Sequence, residues 1–89
     1  RYFVHIGYKG THYFGWQRQP EKLSVQEVLE KSLSRIFKQN ITIHGCGRTD
    51  AGVHASQYFF HMDIEKSWNF DLFFRLNRIL PDDIALFDI

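Results

Sequence analysis

Leu23-Ser24-Val25-Gln26-Glu27-Val28-Leu29-Glu30-Lys31-Ser32-Leu33-Ser34-Arg35-Ile36-Phe37 is the stretch from which the rest of the chain can be arranged. Ser24 occupies an N-cap position, and Glu27 three residues on completes a capping box. Leu23 before the cap and Val28 after it are spaced to close a hydrophobic staple. Val25, Val28, Leu29, Leu33, Ile36 and Phe37 recur at helical spacing and mark one buried stripe. Glu27 and Lys31 sit one turn apart on the outside, and Asn40 is the expected stop. A helix with one apolar stripe needs a second layer to cover it.

Working outward, that layer reads as a sheet. Tyr2 to Tyr8 alternates, with Tyr2, Val4, Ile6 and Tyr8 on one side and Phe3, His5 and Gly7 on the other, which predicts a strand. Lys9 to Lys22 is a long polar loop. Ile41 to Cys46 predicts a short strand, Gly47 to Ala55 a loop, and Gln57 to Ile64 a β-prone run with Tyr58, Phe60 and Met62 on one face. A second helix fits Asn69 to Leu80, with Phe70, Phe73, Leu76, Ile79 and Leu80 on its inner side, Asp71 in its first turn and Pro81 after it. Ile84 to Ile89 closes as a strand. The order β-α-β-β-α-β predicts an α+β, ferredoxin-like fold: an antiparallel sheet with two helices on one face and the other face open.

The chain has 89 residues, enough for one domain, with 44% hydrophobic residues and nine Phe to build a core. A domain of this size buries only roughly two-thirds of its unfolded surface, so some of those rings are expected to meet a partner surface. Eleven Lys and Arg against ten Asp and Glu leave a net charge of +1, so for an RNA partner the cations must be concentrated locally or supplied by sequence beyond these residues. A single Cys excludes an intrachain disulfide and fits a reducing compartment. No apolar run reaches the length needed to span a membrane. Arg1-Tyr2-Phe3-Val4 leads straight into the first strand, so no signal peptide is expected. The missing initiator Met and the ending at Ile89 inside an apolar segment read as a piece of a longer chain.

Chemistry concentrates in Gly47-Arg48-Thr49-Asp50-Ala51-Gly52-Val53-His54-Ala55. Two glycines flank a cation and a carboxylate at a strand end, longer and more polar than a hairpin requires. Asp50 in such a place is able to act as nucleophile or general base. Arg48 is able to pair with it, hold a phosphate or stack on a base. On spacing alone an ordinary Asx turn, with Asp50 capping backbone amides, is the better fit. His44, Cys46, Asp50 and His54 are all ligand types, yet their spacing matches no compact zinc pattern, and His44 and Cys46 are spaced to share a strand face beside the core. No metal is expected. The Lys9 to Pro20 loop interleaves Tyr13, Phe14 and Trp16 with Lys9, Gln17, Arg18 and Gln19, a mixture suited to stacking on RNA bases and pairing with phosphates. The alternative is that Phe14 and Trp16 enter the core.

Tyr8-Lys9-Gly10-Thr11, Phe14-Gly15-Trp16-Gln17-Arg18-Gln19-Pro20, Ser24-Val25-Gln26, Gly47 to Ala55, Leu76-Asn77 and Leu80-Pro81-Asp82-Asp83-Ile84 together resemble the TruA family of tRNA pseudouridine synthases, in the family's order and over nearly the whole chain. The resemblance implies isomerisation of uridine to pseudouridine in the tRNA anticodon stem-loop, at positions thirty-eight to forty, with no metal or organic cofactor. It implies a cytoplasmic homodimer. Asp50 inherits the catalytic role, and Arg48 the displacement and holding of a flipped uridine. Thr49, Arg18, Lys9, Trp16, Gln17 and His54 are the candidate RNA contacts. Lys9 departs from the family, where an acidic residue is more usual. Such enzymes consist of two similar halves, and residues 1–89 correspond to the N-terminal half; the second half supplies a Tyr that stacks on the target base. The isolated chain is therefore expected to be inactive. The competing expectation is a non-catalytic βαββαβ RNA-binding module, supported by Tyr58-Phe59-Phe60 but lacking the basic, Gly-rich pattern of such modules.

Overall fold

Alternation in the first strand sends Val4, Ile6 and Tyr8 into a core that the two helices close from one side. A computed structural model describes residues 1–47, 52–64, 68 and 70–89. Arg48, Thr49, Asp50 and Asn69 lie outside the described residues. The elements are β1 (Tyr2–Tyr8), a 3₁₀ turn (Gly10–His12), α1 (Val25–Phe37), β2 (Ile43–Gly45), β3 (Ala55–Met62), α2 (Leu72–Ile79) and β4 (Ile84–Asp88). The four strands form one sheet in the order β2-β3-β1-β4, and every neighbouring pair is antiparallel. This is the expected ferredoxin-like arrangement. Val4, Ile6, Tyr58, Phe60, Met62, Ile43, Ile84 and Leu86 face Val25, Leu29 and Leu33 of α1 and Leu72 and Leu76 of α2 in a single core. Each fully buried Leu or Ile contributes about 2 kcal/mol. Phe3, Phe59 and Phe87 stay exposed on the open face.

The helix signals in α1 act as expected in part. The Ser24 hydroxyl accepts from the Glu27 amide at 3.2 Å, but the Glu27 carboxylate meets Lys31 at 3.0 Å and Arg18 at 3.6 Å. Leu23 stays exposed, so its side of the staple adds little. The loop before the helix satisfies two more first-turn donors: the Val25 and Gln26 amides donate to the carbonyls of Gly15 and Trp16. The helix ends at Phe37, ahead of the expected Asn40, because Lys38 adopts the left-handed conformation and its amide returns to the Ser34 carbonyl.

The strand and helix limits move for similar reasons. The Ile41 amide donates to the Ser34 hydroxyl, so pairing of β2 begins only at Ile43. β3 starts two residues earlier than its composition indicates, at Ala55, with a register shift against β1 between Ile6 and Tyr8. In α2 the phase differs from the expected one. Asp71 is the N-cap, accepting from the Phe74 amide at 3.0 Å, instead of lying in the first turn. The helix therefore buries Leu72 and Leu76, followed by Leu80, and leaves Phe73 and Ile79 exposed. Among the described residues no helix is long and apolar enough to cross a membrane.

Candidate active site

The segment from Gly47 to Ala55 leaves β2 and enters β3, and both of its ends are fastened. At the near end the Cys46 amide donates to the Phe59 carbonyl at 3.0 Å. The buried Tyr58 hydroxyl accepts from the Gly47 amide at 3.1 Å and donates to the Gly47 carbonyl. At the far end the Gly52 amide, in a residue with φ of 78°, donates to the Tyr13 carbonyl at 3.0 Å. The Gly10 amide donates to His54 Nδ1 at 2.8 Å. An imidazole accepting at Nδ1 carries its proton on Nε2, which leaves that N–H to meet a ligand. Gly10 also lies against the Val53 backbone so closely that a methyl group there would overlap the Val53 carbonyl.

The turn that holds this far end is itself tied to β4. The Lys9 amide donates to the Asp83 carbonyl at 2.8 Å, and the Tyr13 hydroxyl donates to the Asp83 carboxylate at 2.6 Å. Burial, reinforced by the Asp83 carboxylate, raises the Tyr13 pKa and keeps the phenol protonated as a donor. Residues 44 and 70 positions apart in sequence thus meet at one end of the sheet. A cavity of about 510 Å³ opens there, lined by Gly7, Lys9, His54, Ala55, Asp82 and Phe87 among others. Small residues on adjoining strands make the hollow, and Lys9 and His54 give it donors.

The remaining candidate contacts divide by burial. Trp16 is 3% exposed and packs on Tyr58 and Phe60 at ring-centroid distances of 4.5 and 5.8 Å. Its part is packing beneath the segment, and a base cannot stack on a ring already covered by the core. Phe14 takes the opposite course, exposed with the Lys22 ammonium 5.4 Å from its ring centre. Gln17 is exposed beside the hollow formed by Trp16, Gly45 and Gly47. Arg18 lies further along the loop, its Nε on Glu30 at 2.9 Å, so part of its charge is already neutralised. His44 and Cys46 are exposed rather than buried beside the core, since Ile43 takes the inward position of β2. Of Tyr58-Phe59-Phe60 only Phe59 reaches the open face, so that run offers a single ring for stacking. Among the described residues no three His, Cys, Asp or Glu side chains converge.

Tyr58 and Tyr13, which the sequence motifs pass over, are the hydroxyls that hold the segment and its clasp. Burial pushes the Tyr58 phenol up to about 12, with the Gly47 backbone bond acting in the opposite direction. The folded chain therefore holds this proton more tightly than an unfolded tyrosine titrating at 10.0. The associated stability is complete below that value and fades as the pH rises towards 12. Tyr58→Phe in the full-length protein is expected to lose about 1 kcal/mol at neutral pH. Its denaturant midpoint should fall less steeply than the wild type's between pH 10 and 12. Identical slopes for the two proteins would rule out Tyr58 as the source.

Residues 5–73 match the family model described as tRNA pseudouridine synthase. Among similar proteins, tRNA pseudouridine synthase A of Bacteroides fragilis is 45% identical over 91 residues, covering 100% of this chain and 36% of the relative. That of Bacteroides thetaiotaomicron is 46% identical over 90 residues, covering 100% of this chain and 34% of the relative. That of Aeromonas hydrophila is 50% identical over 86 residues, covering 91% and 30%. The chain belongs to the tRNA pseudouridine synthase family. It spans about a third of the length of these relatives.

Proposed function

We propose that residues 1–89 form the N-terminal part of an enzyme that isomerises uridine to pseudouridine in the tRNA anticodon arm. The reaction breaks the N1–C1′ bond, turns the uracil and joins C5 to C1′. The C5 proton leaves and N1 gains one, so composition and oxidation state are unchanged and no cofactor is required. Asp50 attacks or deprotonates the target nucleoside, and the adjacent Arg48 displaces the uridine from its stack and holds it. Lys9, Thr49, Gln17, the outer edge of Arg18 and His54 contact the RNA, whereas Trp16 supports the segment from below. The complete protein works as a cytoplasmic homodimer, with the second half of each chain supplying the opposite wall of the site.

The observation that supports this best is that both ends of the Gly47–Ala55 segment are fastened: Gly47 by the Tyr58 hydroxyl, and Gly52 and His54 by the opening turn, itself bonded to Asp83 before β4. A plain Asx turn needs no such clasp from residues far away in sequence. The test is to incubate the full-length protein with unmodified tRNA and map pseudouridine along the chain. Conversion confined to the anticodon arm, with none by the 89-residue chain alone, is expected. No conversion by the full-length protein, or conversion elsewhere in the tRNA, would overturn the assignment.

A further inference from the structure

Ile43 on the outer edge of β2 turns its backbone amide and carbonyl away from β3, where an edge strand would ordinarily meet water or another chain. Both groups are taken by side chains of α1. The Glu30 carboxylate accepts from the Ile43 amide at 3.0 Å, and the Gln26 side-chain amide donates to the Ile43 carbonyl at 3.0 Å. Gln26 and Glu30 are one helical turn apart, and they also contact each other at 3.4 Å. Glu30 is buried at 7% exposure, yet its second oxygen has a charged donor in Arg18 Nε at 2.9 Å. The Gln26 side-chain oxygen accepts from the Arg18 amide at 2.9 Å. One turn of helix thus replaces a neighbouring strand and ties in the opening loop as well. The opposite edge has a simpler counterpart, Asn77 of α2 bonding both the amide and the carbonyl of Leu86 in β4.

The two edges lead to different parts of the chain. β4 runs on to the last residues, whereas Ile43 is four residues before Gly47, where the carboxylate-bearing segment begins. Gln26, Ile43, Gly45 and Gly47 border one hollow of about 280 Å³. We infer that Glu30, with Gln26, is a positioning residue: it fixes β2 against α1 and so sets the place from which the Asp50 segment departs. This rests on the function proposed above. A buried carboxylate with a backbone donor on one oxygen and a guanidinium on the other is expensive to desolvate unless both partners stay in place. That requirement makes the clamp rigid, and rigidity at the root of a catalytic segment preserves the approach of its carboxylate to the substrate.

The test uses the full-length protein, with kcat and KM for pseudouridine formation and amide exchange at Ile43 and Gly47. Glu30→Ala is expected to lower kcat about 100-fold with KM within about threefold. Glu30→Gln, whose amide oxygen still accepts from Ile43 but which loses the charge facing Arg18, should lower kcat about tenfold, as should Gln26→Ala. Exchange should quicken at Gly47 as well as at Ile43. Should Glu30→Ala fail to fold, the two milder variants decide. Unchanged kcat in both, losses confined to KM, or faster exchange at Ile43 alone would overturn the inference. A wild-type protein that forms no pseudouridine would instead overturn the function, while faster exchange at Gly47 in the variants would still establish the clamp.

Discussion

Asp50→Ala in the full-length protein is expected to reduce pseudouridine formation by about 10⁴-fold or more, the scale of removing a nucleophile or general base outright. The fold and the binding of tRNA should survive. The described residues on either side of Asp50 are held without it: Gly47 by the Tyr58 hydroxyl, Gly52 by the Tyr13 carbonyl and His54 by the Gly10 amide. The substitution also leaves in place Lys9 and Arg18, the cations among the described residues that are proposed to meet the RNA. Thermal unfolding within a degree or two of the wild type, unchanged tRNA affinity and no product would separate catalysis from folding. Turnover within about tenfold of the wild type would transfer the chemistry to another residue.

The parts of the fold legible in the sequence are those governed by a local period. Ser24, Leu29 and Leu33 announce α1 because a cap and a repeating stripe involve only neighbours in the chain, and the alternation of Val4, Ile6 and Tyr8 announces β1 in the same way. The phase of α2 was not legible. Phe70, Phe73, Leu76, Ile79 and Leu80 compose as good a stripe as Leu72, Leu76 and Leu80, and Asp71 as cap decides between them. Trp16 has no local signal either, since the same ring suits a base or the core, and only Tyr58 and Phe60 across the sheet settle its place. For the site, the motif around Asp50 stands out by resemblance, but what holds it does not. The Tyr13–Asp83 bond joins residues 70 apart, and Glu30 looks like any solvated helical glutamate until Ile43 is seen beside it. A pair such as Gln26 and Glu30, one turn apart and bordering a buried stripe, is the signal that could have suggested a strand edge nearby.

Gly10→Ala should be damaging although it lies outside the Asp50 segment. The added methyl group would enter the space occupied by the Val53 carbonyl, carbon and nitrogen, which are backbone atoms and cannot turn aside as the end of a side chain would. Either the 3₁₀ turn or the Gly52–His54 stretch must move. Moving the turn strains the Lys9 and Tyr13 bonds to Asp83, and moving the stretch strains the bonds from Gly10 to His54 and from Gly52 to Tyr13. Overpacking of this kind costs about 2 kcal/mol, and a displacement of order 1 Å at the end of the proposed catalytic segment is expected to lower kcat about 100-fold. Gly47→Ala supplies the contrast at the other end of the same segment. A methyl group there meets nothing within 4 Å, so stability should stay within about 0.5 kcal/mol of the wild type. Denaturant unfolding and initial rates of the two full-length variants check the pair. Were Gly10→Ala as stable and active as the wild type, the clasp between the opening turn and Val53 would not be what fixes the far end of the segment. Equal destabilisation by both variants would mean that chain stiffness in the segment, rather than the contact with Val53, sets the cost.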